Sequence, residues 1–272
     1  MIIKILAGLA AVASVTAFAA TGHAQTLEKI HQRGTLIVGV KADYKPFGFR
    51  DPSGAIVGFE PDLAKDVADA LGVKLQLEPV VASNRMQFLQ QGKIDLMIAT
   101  MNDTPERAKV VGIVHPDYYA SGITVLTRKD SGLKAWDDVK GKKLCAIQGS
   151  WYNKVVGEKY GAQIVAFKGT AEAETALLQN SCVGWVYDNT AFPGLLSDTK
   201  TWGNYAAPLP IIEEQPWGLA VPLPELDKEY GRFMSGMIYN WHRTGRIIEL
   251  EKKWHLPASP WAEKIHDAFK GT

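Results

Sequence analysis

Residues 36–40 read Leu-Ile-Val-Gly-Val, a nearly continuous apolar run that predicts a strand buried on both faces. A helical pattern over 61–71 follows, and residues 73–77 return to the alternation of a strand. A second helix over 84–91 and a second buried strand over 94–100 continue the series. Strands that alternate with short helices indicate a mostly parallel sheet with helices on its faces.

The same alternation starts again further along the chain. It predicts strands over 142–147, 164–167 and 183–187, with helices over 151–160 and 171–179. Extended segments over 118–128 and 218–221 lie before and after this block, and only helices, over 226–242 and 247–254, follow.

This order predicts an α/β clamshell of two lobes, each a mostly parallel sheet flanked by helices. The two extended segments would be the hinge crossings between the lobes. On this interpretation lobe 1 comprises residues 25–127 and 217–272, and lobe 2 comprises residues 128–216. A cleft between the lobes is then the natural place for a ligand.

Composition excludes several classes of protein. With 46% hydrophobic and 22% charged residues, the 272-residue chain has the balance of an ordinary globular protein rather than a disordered or fibrous one. Its formal net charge of +1 gives no excess of basic residues for binding nucleic acid. No internal window has the roughly 18 consecutive apolar residues that a membrane-spanning helix needs.

Residues 1–24 have the features of a signal peptide. Lys4 gives a positive head, residues 5–20 carry no charge, and the small residues Gly22 and Ala24 occupy the cleavage positions. A buried N-terminal helix is the weaker alternative, because the stretch is rich in alanine. The segment has no cysteine for lipid attachment, so we expect a freely diffusing exported protein and not a lipoprotein.

Export would place the two cysteines in an oxidising compartment, where a disulfide is permitted. Cys145 and Cys182 each lie at the start of a predicted strand. If these strands are neighbours, a disulfide would contribute about 3–4 kcal/mol to stability. Two separately buried thiols are the alternative.

Ligands of open parallel sheets bind beyond the carboxyl ends of the strands. After the strand over 94–100, Thr-Pro at 104–105 predicts a helix start, which brings free backbone N–H groups to that edge. Arg107 in its first turn could hold a carboxylate by two parallel hydrogen bonds, with Thr100 and Asn102 supplying further polar groups. A surface arginine paired with a neighbouring acid is the alternative.

Other predicted strand ends also carry polar or aromatic side chains. Lys41 and Tyr44 follow the first strand, and a cation and an aromatic ring suit a small zwitterion. Ser150 and Trp151 lie where a strand turns into a helix, so free N–H groups there could hold the other side of the same carboxylate. Asp188 ends a strand and suits an ammonium group, although it could also cap the next helix.

The chain resembles the periplasmic amino-acid-binding proteins of ABC importers, family 3 of the extracellular solute-binding proteins. The matching stretches, in order between about residues 28 and 257, are 34–40, 58–64, 92–96, 104–107 and 252–254. The resemblance implies a periplasmic monomer that binds a free amino acid and meets an inner-membrane ABC permease. It implies no cofactor, no metal and no catalytic residue, and neither nucleic acid nor direct membrane insertion.

Positions that match the family also imply roles for single residues. The implied ligand residues are Arg107, Asn102 and Ser150 for the α-carboxylate, Asp188 and Thr100 for the α-ammonium, and Tyr44 for the side-chain pocket. Two positions depart from the family, which usually has Ser or Thr where this chain has Asn102 and Trp151. Trp151 would narrow the pocket or stack on the ligand.

Two further cations bear on the choice of ligand. Asn84-Arg85 is similar to the Asn-Arg pair of glutamate/aspartate binders in the family, and Lys41 falls where those proteins tend to carry a cation. Both would favour an acidic or polar amino acid and disfavour lysine or arginine. A surface or structural role for either cation is the alternative.

We therefore interpret the chain as a binding protein whose closing cleft removes water from both poles of the ligand. A dehydratase of prephenate-like acids on the same fold is the enzymatic alternative, but residues 189–192 offer no catalytic acid after Asp188. The chain also lacks hydrolase motifs such as Gly-x-Ser-x-Gly. A ligand-sensing binding protein is a third possibility.

Overall fold

The computed structural model describes residues 26–272, and the predicted signal peptide over 1–24 lies outside the described residues. The strands are β1 (Thr35–Lys41), β2 (Asp43–Tyr44), β3 (Gly48–Arg50), β4 (Ile56–Val57), β5 (Lys74–Val80), β6 (Leu96–Met97), β7 (Gly112–Arg128), β8 (Lys143–Ile147), β9 (Gln163–Phe167), β10 (Gly184–Asp188), β11 (Tyr205–Ala206) and β12 (Ile212–Val221). The helices are α1 (Thr26–Arg33), α2 (Phe59–Leu71), α3 (Arg85–Gln90), α4 (Pro105–Ala108), α5 (Tyr152–Tyr160), α6 (Thr170–Leu178), α7 (Phe192–Leu196), α8 (Thr199–Trp202), α9 (Glu229–Thr244), α10 (Arg246–Lys253) and α11 (Pro260–Phe269). Within residues 26–272, none of these helices is both long enough and apolar enough to cross a bilayer.

The main sheet has the strand order β5-β1-β6-β12-β7-β10-β8-β9, with β11 paired to β7. Strands β5, β1 and β6 pair in parallel and form what we call the first half, while β10, β8 and β9 also pair in parallel and form the second half. Helices flank the sheet, so the predicted α/β architecture is confirmed. The two halves belong to one continuous sheet, because β12 pairs with β6, β7 pairs with β10, and β7 and β12 pair with each other.

Helix α2 illustrates how the sequence sets local structure. Its apolar residues Leu63 and Val67 are fully buried against the sheet. Gly72 then ends the helix with a φ of 67°, and its N–H caps the last carbonyls, as glycine commonly does at this position. The helix begins at Phe59, two residues earlier than the pattern starting at Pro61 predicts.

The predicted strand over 94–100 is wrong in extent. Only Leu96 and Met97 pair as β6, although the Ile98 N–H still donates to the Gly39 carbonyl at 3.0 Å. The chain leaves the extended conformation at Thr100, whose φ is 48°. The apolar run therefore predicts burial correctly but overstates the length of the strand. The C-terminal helix α11 has no counterpart among the sequence-based predictions.

The predicted disulfide between Cys145 and Cys182 is confirmed. The two Cα atoms lie 5.5 Å apart, within the ordinary range for a disulfide. Cys145 is on β8, and Cys182 precedes β10, the parallel neighbour of β8. The bond therefore links neighbouring strands of the second half.

Candidate ligand-binding site

The chain turns at Thr100, where it leaves the first half of the sheet. Its φ of 48° lies in the left-handed region, which β-branched residues rarely adopt. The Thr100 N–H donates to Glu60 Oε1 (2.6 Å) and to Tyr118 Oη (3.0 Å), and Tyr118 Oη itself donates to Glu60 Oε1 (2.6 Å). These hydrogen bonds hold the strained turn. We call residues 100–107, together with Glu60, Arg85 and Tyr118, the first edge of the site.

Glu60 is a functional candidate that the sequence analysis missed. It is fully buried. Burial raises the pKa of Glu60 to about 7, although hydrogen bonds from Tyr118 and Thr100 and the nearby cations Arg85 and Lys41 oppose this rise. Its position between the apolar residues Phe59 and Pro61 at the start of a helix is the one signal that could have drawn attention to it.

Arg107 is buried at the first edge, with only 7% of its surface exposed. The surface ion pair considered from the sequence is therefore not present. Its Nη1 donates to the Asn102 carbonyl (2.9 Å), and its Nη2 donates across to the Gly149 carbonyl in the second half (3.0 Å). A guanidinium has five N–H donors, so donors remain for a ligand. Burial lowers the pKa of Arg107 to about 9. The positive charge of the nearby Arg85 adds to this shift, and the negative charge of Asp188 opposes it.

Helix α4 places Arg107 as the sequence predicts. The Thr104 hydroxyl caps the helix by accepting the Arg107 N–H at 3.4 Å, and Pro105 occupies the first turn. Asn102 joins the site through its backbone, since its carbonyl accepts from Arg107 and its main chain pairs with Trp217 on β12. Thr104 and Asn102 thus fix the direction of the guanidinium.

Lys41 and Arg85 are both buried, so neither has the surface role considered from the sequence. Lys41 Nζ lies 2.7 Å from Asp43 Oδ1 as an ion pair, but without the angles of a hydrogen bond. Arg85 Nη1 donates to the Ala99 carbonyl, and Arg85 Nε has no hydrogen-bond partner within residues 26–272. Burial lowers the pKa of both side chains; for Lys41 the neighbouring Asp43 carboxylate opposes this shift.

The second half contributes residues 149–152 and Asp188, which we call the second edge. At Gly149, with a φ of 84°, an added Cβ would lie 2.8 Å from the backbone of Ala82 and Ser83. Only glycine therefore allows the two halves to approach here. The Ser150 N–H, predicted to be free for a ligand, instead donates to the Ile147 carbonyl (3.2 Å). Ser150 and Trp151 are half-buried.

Asp188 ends β10 and is 4% exposed. Its Oδ1 accepts from Ser121 Oγ on β7 (3.1 Å), and Ser121 Oγ accepts from Trp217 Nε1 (3.0 Å). The side chain makes no capping hydrogen bond to the following turn, so the capping alternative is not observed. Burial raises the pKa of Asp188 to about 6, opposed by Ser121, Arg85, Tyr44 and Arg107. Asp188 is therefore mainly ionised at neutral pH.

Aromatic side chains surround this carboxylate. Tyr44 is 2% exposed, its ring centroid lies 5.0 Å from that of Tyr187, and its hydroxyl pairs with Thr190 Oγ1 across the two halves (2.9 Å). Tyr152, a second residue that the sequence analysis missed, is 1% exposed. After burial, Asp188 is the largest influence that raises the pKa of Tyr44, Tyr152 and Tyr187. The three tyrosines therefore lie around Asp188.

A groove of about 360 Å³ opens beside these aromatic residues. Tyr44 and Tyr187 line it, together with Asp43, Thr170 and Glu174. Neither Arg107 nor Asp188 lines this groove. The charged groups that suit a dipolar ligand thus lie outside this groove, and we locate the candidate site with them.

An α/β fold with charged groups buried between two halves of a sheet defines a two-lobe solute-binding protein. Residues 36–257 match the family described as bacterial extracellular solute-binding proteins, family 3. The match covers most of the chain, which therefore belongs to this family.

Known relatives and structures agree with this assignment. The chain is 34% identical over 237 residues to the ABC transporter glutamine-binding protein GlnH of Bacillus subtilis, covering 84% of each protein. It is similar to the solved structure of the solute receptor for L-cysteine of Neisseria gonorrhoeae (TM-score 0.79, 25% identity, covering 87% of this chain and 98% of that one). It is also similar to the ancestral amino acid-binding protein AncCDT-1, a precursor of cyclohexadienyl dehydratase (TM-score 0.74, 30% identity, covering 84% and 99%).

Proposed function

We propose that this protein captures a free amino acid in the periplasm and delivers it to an inner-membrane ABC permease. The observation that carries the proposal is the burial of Arg107 and Asp188, from opposite halves, in one region where each shifts the pKa of the other. An α-carboxylate would bind Arg107, aided by Asn102 and Ser150. An α-ammonium would bind Asp188.

The charge pairing also explains how a small ligand could be held tightly. A free amino acid has about ten heavy atoms, so micromolar affinity, about −8 kcal/mol, requires strong contributions from a few contacts. Hydrogen bonds to charged groups contribute about 1.5–3 kcal/mol each when water is excluded. Both ends of the zwitterion would obtain such bonds only when the two halves are closed on it.

We further propose an acidic or polar amino acid as the ligand. Lys41 and Arg85 add buried positive charge near the site, which disfavours a cationic side chain. The relatives include a glutamine-binding protein from Bacillus subtilis and a second one from Geobacillus stearothermophilus, 34% identical over 203 residues. Thr100 and Tyr44 would border the ammonium and the side chain, respectively.

We infer that the protein is not an enzyme. The similarity to a precursor of cyclohexadienyl dehydratase is the specific observation that favours the enzymatic alternative. After Asp188, however, residues 189–192 are Asn-Thr-Ala-Phe, which supply no acid for proton transfer. Turnover of prephenate or arogenate by the purified protein would support the dehydratase instead.

The remaining expectations are part of the same proposal. We propose a monomer, with lobe 1 formed by residues 25–127 and 217–272 and lobe 2 by residues 128–216. Two hinge crossings are supported by β12, which pairs with β6 of the first half, and β7, which pairs with β10 of the second half, because the two strands also pair with each other. Hinge closure would then be the motion that follows ligand binding.

A thermal-shift screen of the twenty amino acids, followed by calorimetry, tests the proposed function. We expect at least one acidic or polar amino acid to bind the wild-type protein, and Arg107→Ala to weaken that binding at least about 100-fold. The exposed Arg243 offers a matched control, since Arg243→Ala should bind like the wild type. Near-normal affinity of Arg107→Ala, with its fold intact by circular dichroism, would refute the assignment.

A further inference from the structure

Tyr152 is the first residue of α5 and has an unusual environment for a tyrosine. Its side chain is 1% exposed, and its hydroxyl forms no hydrogen bond with any residue in 26–272. Buried hydroxyls are normally hydrogen-bonded, because an unpaired one costs free energy. A group that a protein buries without a partner therefore requires an explanation.

The neighbours of Tyr152 place its hydroxyl within the candidate site. Burial and then the charge of Asp188 raise its pKa, whereas Ser150, Arg85 and Arg107 oppose the rise. Ser150 lies near, but the two hydroxyls do not reach hydrogen-bond geometry. Tyr152 also lies three residues after Gly149, whose carbonyl accepts a hydrogen bond from Arg107 Nη2. Its hydroxyl therefore belongs to the region in which the proposed function places Arg107 and Asp188.

Other buried groups at the two edges lack partners in the same way. Arg85 Nε and Trp151 Nε1 have no acceptor within the described residues. Both groups can only donate hydrogen bonds. Glu60 Oε2 is an acceptor without a hydrogen bond, but Arg85 and Lys41 lie near enough to offset its charge. The site therefore contains buried hydrogen-bond donors that have no acceptor within the described residues.

We propose that Tyr152 is a specificity-determining residue whose hydroxyl donates a hydrogen bond to a side-chain oxygen of the bound amino acid. The complementary ligand carries a carboxylate or carboxamide on its side chain, and apolar or cationic side chains leave the donors unpaired. This inference rests on the proposed function, because it takes the α-carboxylate and α-ammonium to be held by Arg107 and Asp188.

The test compares the wild-type protein with Tyr152→Phe, which removes only the hydroxyl. Calorimetry with L-glutamate, L-glutamine, L-leucine and L-arginine supplies the probes, and weak binders are measured by competition. We expect glutamate or glutamine to bind the wild type most tightly. Tyr152→Phe should reduce the affinity for that amino acid about 10- to 100-fold. Leucine affinity should change less than about threefold, because leucine offers no side-chain acceptor.

Tyr160→Phe is the matched control, since Tyr160 lies at the other end of the same helix and packs against Trp136. It should leave all four affinities unchanged. The inference is overturned if leucine or arginine binds the wild type most tightly, or if Tyr152→Phe weakens all probes equally or none. A wild-type protein that binds no amino acid at all would instead overturn the proposed function, and the role of Tyr152 with it.

Discussion

At the first edge of the site, Thr100, Glu60 and Tyr118 form a closed set of three hydrogen bonds, although Glu60 Oε2 and Arg85 Nε have no partner within residues 26–272. At the second edge, the Trp151 Nε1 and Tyr152 hydroxyl donors are buried with no acceptor among the same residues. The first edge also fixes Arg107 through the Asn102 carbonyl. The second edge anchors Asp188 through a single hydrogen bond from Ser121.

This difference suggests that the two edges have different roles in ligand binding. The α-carboxylate is common to all amino acids, so a group that binds it can be held rigidly by the protein. The side chain differs between amino acids, and donors left for the ligand to satisfy can select among them. Changes at the first edge should therefore affect stability and affinity together, while changes at the second edge should affect affinity alone.

The largest effect is expected from Asp188→Asn. Removing one member of a buried charge pair costs about 2–5 kcal/mol of binding energy, so calorimetry should show affinity reduced about 30-fold or more. The ligand-free variant should be at least as stable as the wild type, because the raised pKa of Asp188 shows that its charge is unfavourable in the folded protein. Asp130→Asn, at an exposed position, is the control. If Asp188→Asn lost stability and affinity in parallel, the proposed difference between the two edges would be contradicted.

The dependence of binding on pH should be the next largest effect. The ammonium needs an ionised Asp188, whose pKa is about 6. Affinity should therefore fall about tenfold between pH 7 and pH 5. Calorimetry across this range should show the loss in the wild type and not in Asp188→Asn. An unchanged affinity in the wild type would argue that Asp188 does not bind the ammonium.

Stability of the ligand-free protein should change with pH in the opposite direction. The folded protein holds protons on Glu60 (pKa about 7) and Asp188 (pKa about 6) more tightly than the unfolded chain does. The contribution of these two groups to the free energy of unfolding should thus decrease as pH rises from about 4 to about 7. Asp117 and Glu251, whose pKa values are also raised by burial, add to this trend. Comparing Glu60→Gln and Asp188→Asn with the wild type gives the contribution of each group to the pH dependence of stability. If the free energy of unfolding changed with pH in both variants as it does in the wild type, the prediction would be contradicted.

Variants of Glu60 test the rigidity of the first edge, with a smaller effect. Glu60→Ala leaves the Thr100 N–H with Tyr118 alone, so we expect the free energy of unfolding to fall by about 1–3 kcal/mol and affinity to fall about tenfold. Glu60→Gln keeps an acceptor at the same place and should bind within about threefold of the wild type. Thermal denaturation and calorimetry measure both quantities. If Glu60→Ala matched Glu60→Gln in both, the first edge would not depend on this carboxyl group.

The smallest effect on binding is expected from the disulfide. Cys145→Ser with Cys182→Ser should lower stability by about 3 kcal/mol, because the cross-link constrains the unfolded chain. Affinity should remain within about twofold, since the bond links β8 to the start of β10, whereas Asp188 lies at the far end of β10. A large loss of affinity in the folded variant would show that this part of the second half is coupled to the site.

Much of the fold follows from local sequence. Apolar runs such as residues 36–40 and the Gly72 helix stop are local signals, and they predict β1 and the end of α2. The start of α4 is equally local, because Thr104 and Pro105 are adjacent to Arg107. The disulfide could also be predicted, once both cysteines were placed on strands in an oxidising compartment.

The remaining features of the fold and of the site depend on contacts between residues that are distant in sequence. The hydrogen bond of Glu60 to Tyr118 and the influence of Asp188 on Tyr152 both come from residues that are far away in sequence. The Ser150 N–H is taken by a turn whose geometry the sequence pattern does not specify. The chain turns at Thr100, where hydrogen bonds from its N–H to Glu60 and Tyr118 stabilise a conformation that threonine itself disfavours.

A crystal structure with the tightest-binding amino acid tests the central claim most directly. We predict that the α-carboxylate of the ligand lies against the Arg107 guanidinium and that its ammonium donates to Asp188. A complex in which either pole is bound by other residues, or in which both side chains point to solvent, would contradict the account.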